Sequence, residues 1–364
     1  MKKILHIPNY YPPHVGGIED VCYQIVTGLK GSFDQKVICF NDKKNTEIGE
    51  YEGVEIIRSG VWKKIFSQSI SFKYYKELKR VIEEYNPDFI HLHLPNPFVS
   101  ILLILHWHSD IIELKQQLIY FFYRYFEKKI LKRAYKIITT SPNYLEHSKP
   151  LRNFKNKGVV IANSIDYKKL LKKEDDDEEI RKIKEKYNNK KIIFAFGRHV
   201  KYKGYEYLID AAPFISSEAV LVIAGKGELT DKLKERAKDK EKEIYFSGRI
   251  SDDELRWYLY ASDIFAFPSI TKNEAFGLAL AEALYTGLPA VTFTIQGSGV
   301  NWVSINEETG LEAKNRDSKE YAENINRLLG DDELRFTLGQ NARQRVEDTF
   351  VWDKIQDKVF DLYR

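Results

Sequence analysis

Short apolar runs alternate with helical patterns along the whole chain. An apolar run bounded by turn residues is typical of a buried strand, and apolar residues at helical spacing are typical of an amphipathic helix. Strands are predicted at Lys3 to Pro8, Lys36 to Phe40, Val54 to Arg58, Asp88 to His91, Lys136 to Thr140, Lys191 to Phe196, Ala219 to Ala224, Glu243 to Phe246 and Ile264 to Phe267, with Val291 beginning another. Helices are predicted near Ile18 to Leu29, Ser71 to Tyr85, Ser251 to Ala261, Ala275 to Thr286, Ser318 to Leu328 and Asp332 to Arg345. This alternation indicates an α/β chain with two doubly wound parallel sheets.

The most informative stretch is IFAFPSITKNEAFGLALAEALYTGLPAV, from Ile264 to Val291. It predicts a strand, a loop and a helix, and such a loop lies at the sheet edge where open α/β folds bind ligands. Glu274 precedes the helix and Glu282 follows eight residues later, roughly 12 Å along a helix axis. The free amides of Phe276, Gly277 and Leu278 would bind an anion between them. A nucleotide sugar has this layout, whereas the alternative is a solvated helix face with two ordinary acids.

This stretch resembles the signature of the retaining GT-B glycosyltransferases of family 4, also called glycosyltransferase group 1. The resemblance implies two Rossmann-like domains facing a cleft, with Glu274 on the donor sugar and Glu282 on the ribose. It also implies a terminal helix, Phe350 to Arg364, that crosses back to the N-terminal domain with Phe350 and Trp352 as anchors. We therefore expect an acceptor-binding domain of residues 1–168 plus about 348–364, and a nucleotide-sugar-binding domain of residues 169–347.

Two cations follow the first strand of the second half, in the segment GRHVKYKG. Arg198 and Lys203 flank the start of the next helix, where they would neutralise the charge that grows on a departing diphosphate. An arginine and a lysine at this spacing do so in the resembled family, although either residue alone would more often be a surface charge. The resemblance also places Arg249 and Ile250 beside the nucleotide base.

A glycine pair, Gly16 and Gly17, lies at the start of the first predicted helix. Glycine lets a backbone come close to a ligand, and the resemblance places this pair near the donor phosphate and the acceptor. The third glycine of the dinucleotide fingerprint is missing, which disfavours a nicotinamide enzyme. A turn without any ligand is the alternative interpretation.

Histidines recur in the first half of the chain. If Ile101 to Ser109 is a strand, His106 and His108 share one face, and His91 and His93 repeat the pattern, so a metal site is one interpretation. A better match is the segment WHSD, Trp107 to Asp110, which resembles the family segment that places a histidine beside the donor sugar. We assign that role to His108, with a buried histidine bonded to the backbone as the alternative.

Two charged segments leave alternatives open. Leu114 to Lys136 mixes aromatic and basic residues, so it either lies on an anionic membrane surface or, as we slightly prefer, packs in the core with a basic solvent face. The acidic run Asp175, Asp176 and Asp177 is expected at an exposed helix start rather than in a metal site. We expect no required metal.

Composition limits the functional class. The 364 residues are enough for two domains, and a net charge of +4 is too small to indicate nucleic-acid binding. Cys22 and Cys39 are the only cysteines, and they support no disulfide framework. The N-terminus lacks the apolar core of a signal peptide and the strongest apolar run is too short to span a bilayer, so we expect a cytoplasmic protein, with peripheral contact at the inner membrane surface as an open possibility.

Together these features predict a metal-independent retaining glycosyltransferase without a cofactor. We expect transfer of a sugar from a nucleotide-diphosphate sugar, UDP-linked before GDP-mannose, to a saccharide or lipid-linked saccharide acceptor in cell-surface polysaccharide synthesis. The alternatives are a GT-B isomerase (epimerase) that acts on a sugar nucleotide, and a non-catalytic subunit that only binds one.

Overall fold

The computed structural model describes residues 1–14, 16–65, 68–94, 104–108, 125, 127–238, 240 and 243–364. The chain forms two compact units. The first comprises Met1–Ser164 together with Ile355–Arg364, and the second comprises Ile165–Lys354. The first unit is therefore discontinuous in sequence.

The first unit contains an eight-stranded sheet in the order β10-β9-β8-β7-β1-β2-β4-β3, and the separate hairpin β5-β6. All neighbours in the large sheet are parallel except β3 and β4. The strands are β1 Lys3–Ile7, β2 Asp34–Phe40, β3 Glu47–Tyr51, β4 Val54–Ser59, β5 Lys63–Ile65, β6 Gln68–Ile70, β7 Phe89–Leu94, β8 Ile104–Trp107, β9 Lys136–Thr139 and β10 Gly158–Val160. The helices of the described residues include α1 Gly17–Gly28, α2 Phe72–Tyr85 and α3 Pro142–His147, with a short 3₁₀ helix at Lys155–Lys157, and residues 127–133 are also helical.

Apolar side chains from α1 and the central strands form the core of the first unit. Cys22 and Val26 on α1 pack against Val37 and Cys39 on β2 and Ile56 on β4. Both cysteines are buried and free, and burial raises the pKa of the Cys39 thiol to about 12. They behave here as small apolar residues.

The second unit is built on a six-stranded parallel sheet in the order β13-β12-β11-β14-β15-β16. Its strands are β11 Lys191–Phe196, β12 Ala219–Ala224, β13 Ile244–Gly248, β14 Ile264–Phe267, β15 Ala290–Phe293 and β16 Gly310–Ala313. Its helices are α4 Asp176–Lys186, α5 Tyr205–Ala211, α6 Thr230–Lys238, α7 Asp252–Ala261, α8 Leu278–Tyr285, α9 Val300–Val303, α10 Ser318–Gly330 and α11 Asp332–Thr349, with 3₁₀ helices at Tyr167–Leu170, Lys201–Lys203 and Ala212–Phe214. The predicted bounds of β11, β12 and β14 are confirmed, as is the capping box of Ser251 and Glu254 before α7.

The last helix, α12 Trp352–Asp361, begins in the second unit and ends in the first. Ile355 and Val359 on this helix are buried, and Tyr363 beyond it is fully buried beside Phe89 of β7. The expected anchoring role of Phe350 is wrong. Phe350 packs inside the second unit, with ring centroids 5.3 Å from Phe276 and 5.1 Å from Trp302.

The acidic run opens α4, but only part of it is exposed as expected. Asp176 is 2% exposed, and its carboxylate accepts from Arg256 Nε at 2.7 Å, Arg256 Nη2 at 2.9 Å and Trp257 Nε1 at 2.5 Å. These hydrogen bonds, Arg256 first, hold the pKa of Asp176 well below its usual range. Asp175 and Asp177 are solvent-exposed. The run therefore supplies an interior ion pair, which a charge-dense sequence does not reveal.

Of the segment Leu114 to Lys136, for which core packing was preferred over a membrane surface, residues 114–124 and 126 lie outside the described residues. In the described part, Ile130, Leu131 and Ala134 are buried. Among the helices that the structure does describe, none combines the length and the hydropathy that a bilayer crossing requires.

Candidate active site

The loop between β14 and α8 holds most of the predicted site residues. Helix α8 begins at Leu278, three residues later than predicted, because Gly277 adopts a left-handed φ of 96° and interrupts the helical run. The Gly299 amide also donates to the Ala275 carbonyl at 3.1 Å and holds that residue in the loop. Phe276 and Gly277 therefore precede the helix, and the two-turn spacing expected between Glu274 and Glu282 does not apply.

Glu274 lies at this loop with a largely buried carboxylate. It forms an ion pair with Lys203, and the Ser269 hydroxyl donates to its Oε2 at 3.1 Å. The Ser298 hydroxyl donates to the Glu274 backbone carbonyl. Burial alone would lower the pKa of the Lys203 ammonium, but attraction to Glu274 outweighs it and the pKa is raised. The Lys203 ammonium is therefore held in its charged state.

Backbone contacts between two loops bring Lys203 to Glu274. Lys203 ends the 3₁₀ helix that follows β11, and the next residue, Gly204, has a left-handed φ of 64°. A Cβ atom on Gly204 would clash with the Pro268 carbonyl after β14, so glycine is required for this close approach. The Ile270 amide also donates to the Tyr202 carbonyl at 2.9 Å. The carboxyl ends of neighbouring strands β11 and β14 thus set the position of the ion pair.

The second predicted cation is placed differently. The Arg198 side chain is exposed, and its Nη2 donates to the Tyr202 hydroxyl at 3.3 Å. Arg198 and Lys203 thus both lie beside Tyr202, but the Lys203 side chain is largely covered and lies against a carboxylate, while Arg198 reaches solvent. Arg249 is also exposed, and Ile250 is half-buried, immediately after β13.

Glu282 lies on α8 with its carboxylate 3.0 Å from Lys169 Nζ. Sequence analysis did not single out Lys169, which lies in the 3₁₀ helix Tyr167–Leu170. It also missed Ser269 and Ser298, although Ser269 follows β14 at the sheet edge where ligands bind. The position of Ser269 directly after β14 could have identified it as a candidate site residue.

In the first unit, the glycine pair is at the start of α1 as predicted. Gly16 caps the helix with an extended φ of 178°, a conformation open to any residue. A Cβ atom on Gly16 would meet only the flexible end of the Glu19 side chain. Gly17 is exposed. The backbone therefore does not itself require glycine at Gly16.

His108 follows β8 and is 7% exposed. Its Nε2 lies 3.1 Å from Nδ1 of His93 on β7. Burial lowers the pKa of His108 to about 3, so the ring is neutral at physiological pH. Sequence analysis identified His93 only as a possible metal ligand, and its contact with His108 is new.

Further histidines line the same part of the sheet. His91 stacks on His93 with centroids 4.5 Å apart, and its Nδ1 lies 2.5 Å from the Tyr363 hydroxyl. His6 on β1 contacts Gln35 Oε1 through Nε2 at 3.0 Å. Burial lowers the pKa of His6 to about 4 and of His91 well below its usual value. The rings of His6 and His91 are therefore neutral and buried.

The ring nitrogens of His6, His91 and His93 lie within 4.8 Å of one another, a different group from the one weighed in the sequence. Zinc with Zn–N bonds of about 2.1 Å requires each ligand nitrogen to direct its lone pair at the ion. The rings of His91 and His93 are also nearly parallel, at 18°, so their in-plane lone pairs do not converge. The observed geometry is that of a stack rather than a ligand set.

A surface groove of about 550 Å³ lies elsewhere on the second unit. It is lined by polar and basic side chains that include Asp210, Lys314 and Lys319. None of the predicted site residues lines it. The ion pair at the β11 and β14 sheet edge is thus separate from this groove.

Family models and known proteins match the chain over nearly its whole length. Residues 176–345 match the model described as glycosyl transferases group 1, and residues 15–169 match the model described as glycosyltransferase family 4. The chain is 28% identical to the O-antigen chain mannosyltransferase C of Escherichia coli, with 99% of this chain and 98% of the relative covered. It is 30% identical to the uncharacterized glycosyltransferase MJ1178 of Methanocaldococcus jannaschii, with 99% and 97% covered.

A solved structure supports the fold independently. Sucrose-phosphate synthase from Thermosynechococcus elongatus superposes with a TM-score of 0.80 at 21% identity, with 100% of this chain and 98% of that chain covered. At that identity the likeness concerns the fold alone. With the matches of both family models and of a full-length relative, the chain belongs to the group 1 glycosyltransferases of family 4 and has their GT-B fold.

Proposed function

We propose that this glycosyltransferase moves a sugar, with retention of anomeric configuration, from a nucleoside-diphosphate sugar to a saccharide or lipid-linked saccharide in cell-surface polysaccharide synthesis. The observation that carries the proposal is the largely buried pair of Lys203 and Glu274 at the carboxyl edge of the second sheet. An ammonium and a carboxylate side by side match a donor that joins an anionic diphosphate to a hydroxyl-rich sugar.

Each group has a distinct role in this proposal. Lys203 and Arg198 neutralise the diphosphate as its bond to the sugar breaks, and the loop amides from Phe276 to Leu278 assist them. Glu274 accepts hydrogen bonds from the sugar and Glu282 from the ribose, while Arg249 and Ile250 border the base. Gly16 and Gly17 are assigned to the donor phosphate and His108 to the donor sugar, on the family resemblance.

The proposed chemistry depends on positioning. The acceptor hydroxyl attacks the anomeric carbon from the face that the diphosphate leaves, the sugar–phosphate bond breaks, and a phosphate oxygen takes the hydroxyl proton. No protein nucleophile and no metal is assigned a role, so catalysis rests on orientation and charge stabilisation. Retained configuration in the product, read by NMR, is the expected result, and inversion would contradict this part.

Two observations bear on the identity of the donor sugar. The sequence favoured a UDP-sugar before GDP-mannose, whereas the relative from E. coli is named a mannosyltransferase. Both donor classes therefore belong in the first experiment, a thermal-shift panel of UDP, GDP, ADP and their sugars. A ligand that binds only the folded state raises the melting temperature in proportion to RT ln(1 + [L]/Kd). A panel without any shift would contradict donor binding.

The cation roles are tested by substitution, with release of the nucleoside diphosphate as the readout. Lys203→Ala is expected to lower turnover about 10²- to 10³-fold, because one positioned charge at the departing group is lost. Arg198→Ala should act in the same direction. Lys201→Ala is the matched control, since Lys201 is exposed on the same 3₁₀ helix. Near-normal turnover in both Lys203→Ala and Arg198→Ala would refute the proposed roles.

The same assays separate the alternatives. An isomerase would convert the donor sugar without any acceptor, and a silent binding subunit would give a thermal shift but neither transfer nor hydrolysis. The first result would identify an isomerase and the second a non-catalytic binding subunit, and either would contradict the transferase proposal.

A further inference from the structure

The two polar contacts that described residues make with the Glu274 carboxylate go to the same oxygen. Its Oε2 accepts from the Ser269 hydroxyl at 3.1 Å and lies against the Lys203 ammonium. No hydrogen-bond donor within the described ranges reaches Oε1, and this oxygen is not closed off from solvent. The Glu274 side chain as a whole is 12% exposed. Oε1 is therefore the oxygen that a ligand can approach.

The direction of the Ser269 hydrogen bond follows from the groups around Oε2. Lys203 is an ammonium, which can donate but cannot accept. An oxygen that faces an ammonium accepts from it and carries no proton, so the Ser269 hydroxyl has to donate. Ser269 is fully buried, and within the described part of the chain its hydroxyl makes this hydrogen bond alone. The hydroxyl is thus committed to Glu274.

Ser269 is the contact that persists when a donor binds. In the proposed function Lys203 neutralises the diphosphate, so it divides its donors between that group and Glu274. A lysine also reaches its partner through a flexible four-carbon stem, whereas a serine hydroxyl is attached directly to Cβ. Ser269 lies two residues after β14, so the end of a buried strand sets its position.

The main chain of Glu274 is held independently of these side-chain contacts. Its amide donates to the Thr271 carbonyl at 3.1 Å, and its carbonyl accepts from the Ser298 hydroxyl. With the backbone fixed, the remaining freedom of Glu274 is rotation about its side-chain bonds. The Ser269 hydrogen bond restricts that rotation and so sets the orientation of the carboxylate.

We propose that Ser269 is a positioning residue whose hydroxyl anchors Oε2 of Glu274, so that Oε1 accepts a hydrogen bond from a hydroxyl of the donor sugar. This inference rests on the proposed function for the role of Glu274. Ser269 itself contacts the carboxylate and not the sugar.

The kinetic test compares two substitutions of Ser269 in the full-length protein. Ser269→Ala removes the hydroxyl and should lower kcat about 10- to 100-fold with the donor KM changed less than about threefold, since the sugar is misaligned rather than unbound. Ser269→Cys keeps nearly the same volume but offers only a weak donor, so its kcat should also stay low. Thermal unfolding checks that both variants fold.

Binding of the nucleoside diphosphate provides a second readout. UDP or GDP, whichever gives the larger thermal shift, carries no sugar and therefore makes no hydrogen bond to Oε1 in this proposal. Its dissociation constant, measured by isothermal titration calorimetry, should change less than about twofold in Ser269→Ala. A general distortion of the loop would instead weaken this binding, because the amides from Phe276 to Leu278 belong to the same loop.

Ser304→Ala is the matched control. Ser304 is 1% exposed in the same unit, and its hydroxyl faces the Thr309 hydroxyl rather than a predicted site residue. Its kcat should equal that of the wild type. The positioning role is overturned if Ser269→Ala keeps the wild-type kcat, if Ser269→Cys restores it, or if binding of the nucleoside diphosphate is lost together with kcat. Ser269→Cys alone decides the question should Ser269→Ala fail to fold.

The two layers of the proposal fail differently. In Glu274→Gln the amide oxygen is drawn to Lys203 and Ser269, which both donate, so the amide NH₂ faces the sugar and turnover should fall. Wild-type turnover in Glu274→Gln would refute the proposed role of Glu274. Loss of turnover in Glu274→Gln but not in Ser269→Ala would overturn the positioning role and leave the proposed function standing.

Discussion

The interiors of the two units differ in the polar groups that they bury. The first unit buries His6, His91, His93 and His108 on one sheet, and burial lowers the pKa of three of them. The second unit buries one histidine, His199, whose pKa burial also lowers, and in addition holds two charged pairs in its interior, Asp176 with Arg256 and Lys203 with Glu274.

Both arrangements reduce the free-energy cost of removing a charged group from water. A buried group either gives up its charge or keeps it beside an opposite charge with additional hydrogen bonds. Neutral histidines keep donor and acceptor roles that can orient a sugar hydroxyl. Fixed charges can instead respond to the negative charge of a departing diphosphate. The contrast thus parallels the roles proposed for the two units.

The largest expected effect is that of low pH, which should destabilise the first unit more than the second. A histidine whose pKa is lowered by folding contributes stability that is present above the unfolded value of about 6.5 and is lost as pH falls towards the folded value. With folded pKa values of about 4 and about 3, His6 and His108 should each cost about 2 kcal/mol at pH 5. His91 acts in the same direction.

Hydrogen exchange of peptides from β7 and β12 at pH 7.5 and pH 5 measures each unit separately. β7 should lose more protection than β12 by pH 5, because one histidine with a lowered pKa, His199, is buried in the second unit, and the lowered pKa of Asp176 keeps its contribution intact until pH falls below about 4. His6→Leu should flatten the dependence for β7 by about 2 kcal/mol, since it removes one titrating ring. Parallel loss of protection in both units would contradict the comparison.

Breaking the interior ion pair of the second unit should come next in size. Asp176→Ala leaves the Arg256 guanidinium buried without its main partner and should lower the free energy of unfolding by about 3–5 kcal/mol. Urea unfolding measures the change. Asp175→Ala is the control, because Asp175 is exposed in the same run. An Asp176→Ala/Arg256→Leu double variant should recover much of the loss, and no recovery would mean that packing rather than charge dominates.

The smallest expected effect concerns Lys169 and Glu282. Their ion pair is partly exposed, so it contributes about 0.2–1 kcal/mol. Lys169→Ala should raise the donor KM about two- to fivefold at unchanged kcat, as expected when ground state and transition state lose the same contact. Lys168→Ala, at an exposed neighbouring position, should leave both the donor KM and kcat unchanged. A fall in kcat alone would mean that Lys169 acts on the reaction rather than on ribose binding.

Elements that are buried on both faces were predicted correctly, because burial imposes an apolar pattern on their residues. β11, β12 and β14 are short apolar runs because both faces of a parallel sheet are covered. β3, with the sequence EIGEY, was not anticipated because it is exposed at the sheet edge and shows no apolar pattern. Helix α8 was predicted too long, since the left-handed Gly277 and the Gly299–Ala275 bond depend on tertiary contacts.

The candidate site was likewise predictable only in part. Lys203 and Glu274 could be proposed individually from the motifs around them. Their ion pair could not, because it depends on a close approach of two loops at Gly204 and Pro268 that are far apart in sequence. The contacts that Ser269, Ser298, Lys169 and His93 make with predicted site residues were missed for a similar reason, because they form only in the folded structure.

The last helix has a consequence for how the protein is made. The first unit is completed by Ile355–Arg364, and Lys2 Nζ donates to the carbonyl of Arg364 at 2.8 Å, so the two ends of the chain meet. During translation, residues 355–364 are synthesised after residues 1–354. The first unit therefore lacks Tyr363, the partner of His91, until the whole second unit has been synthesised. A nonsense codon just before Ile355 would damage the unit whose larger part was made first.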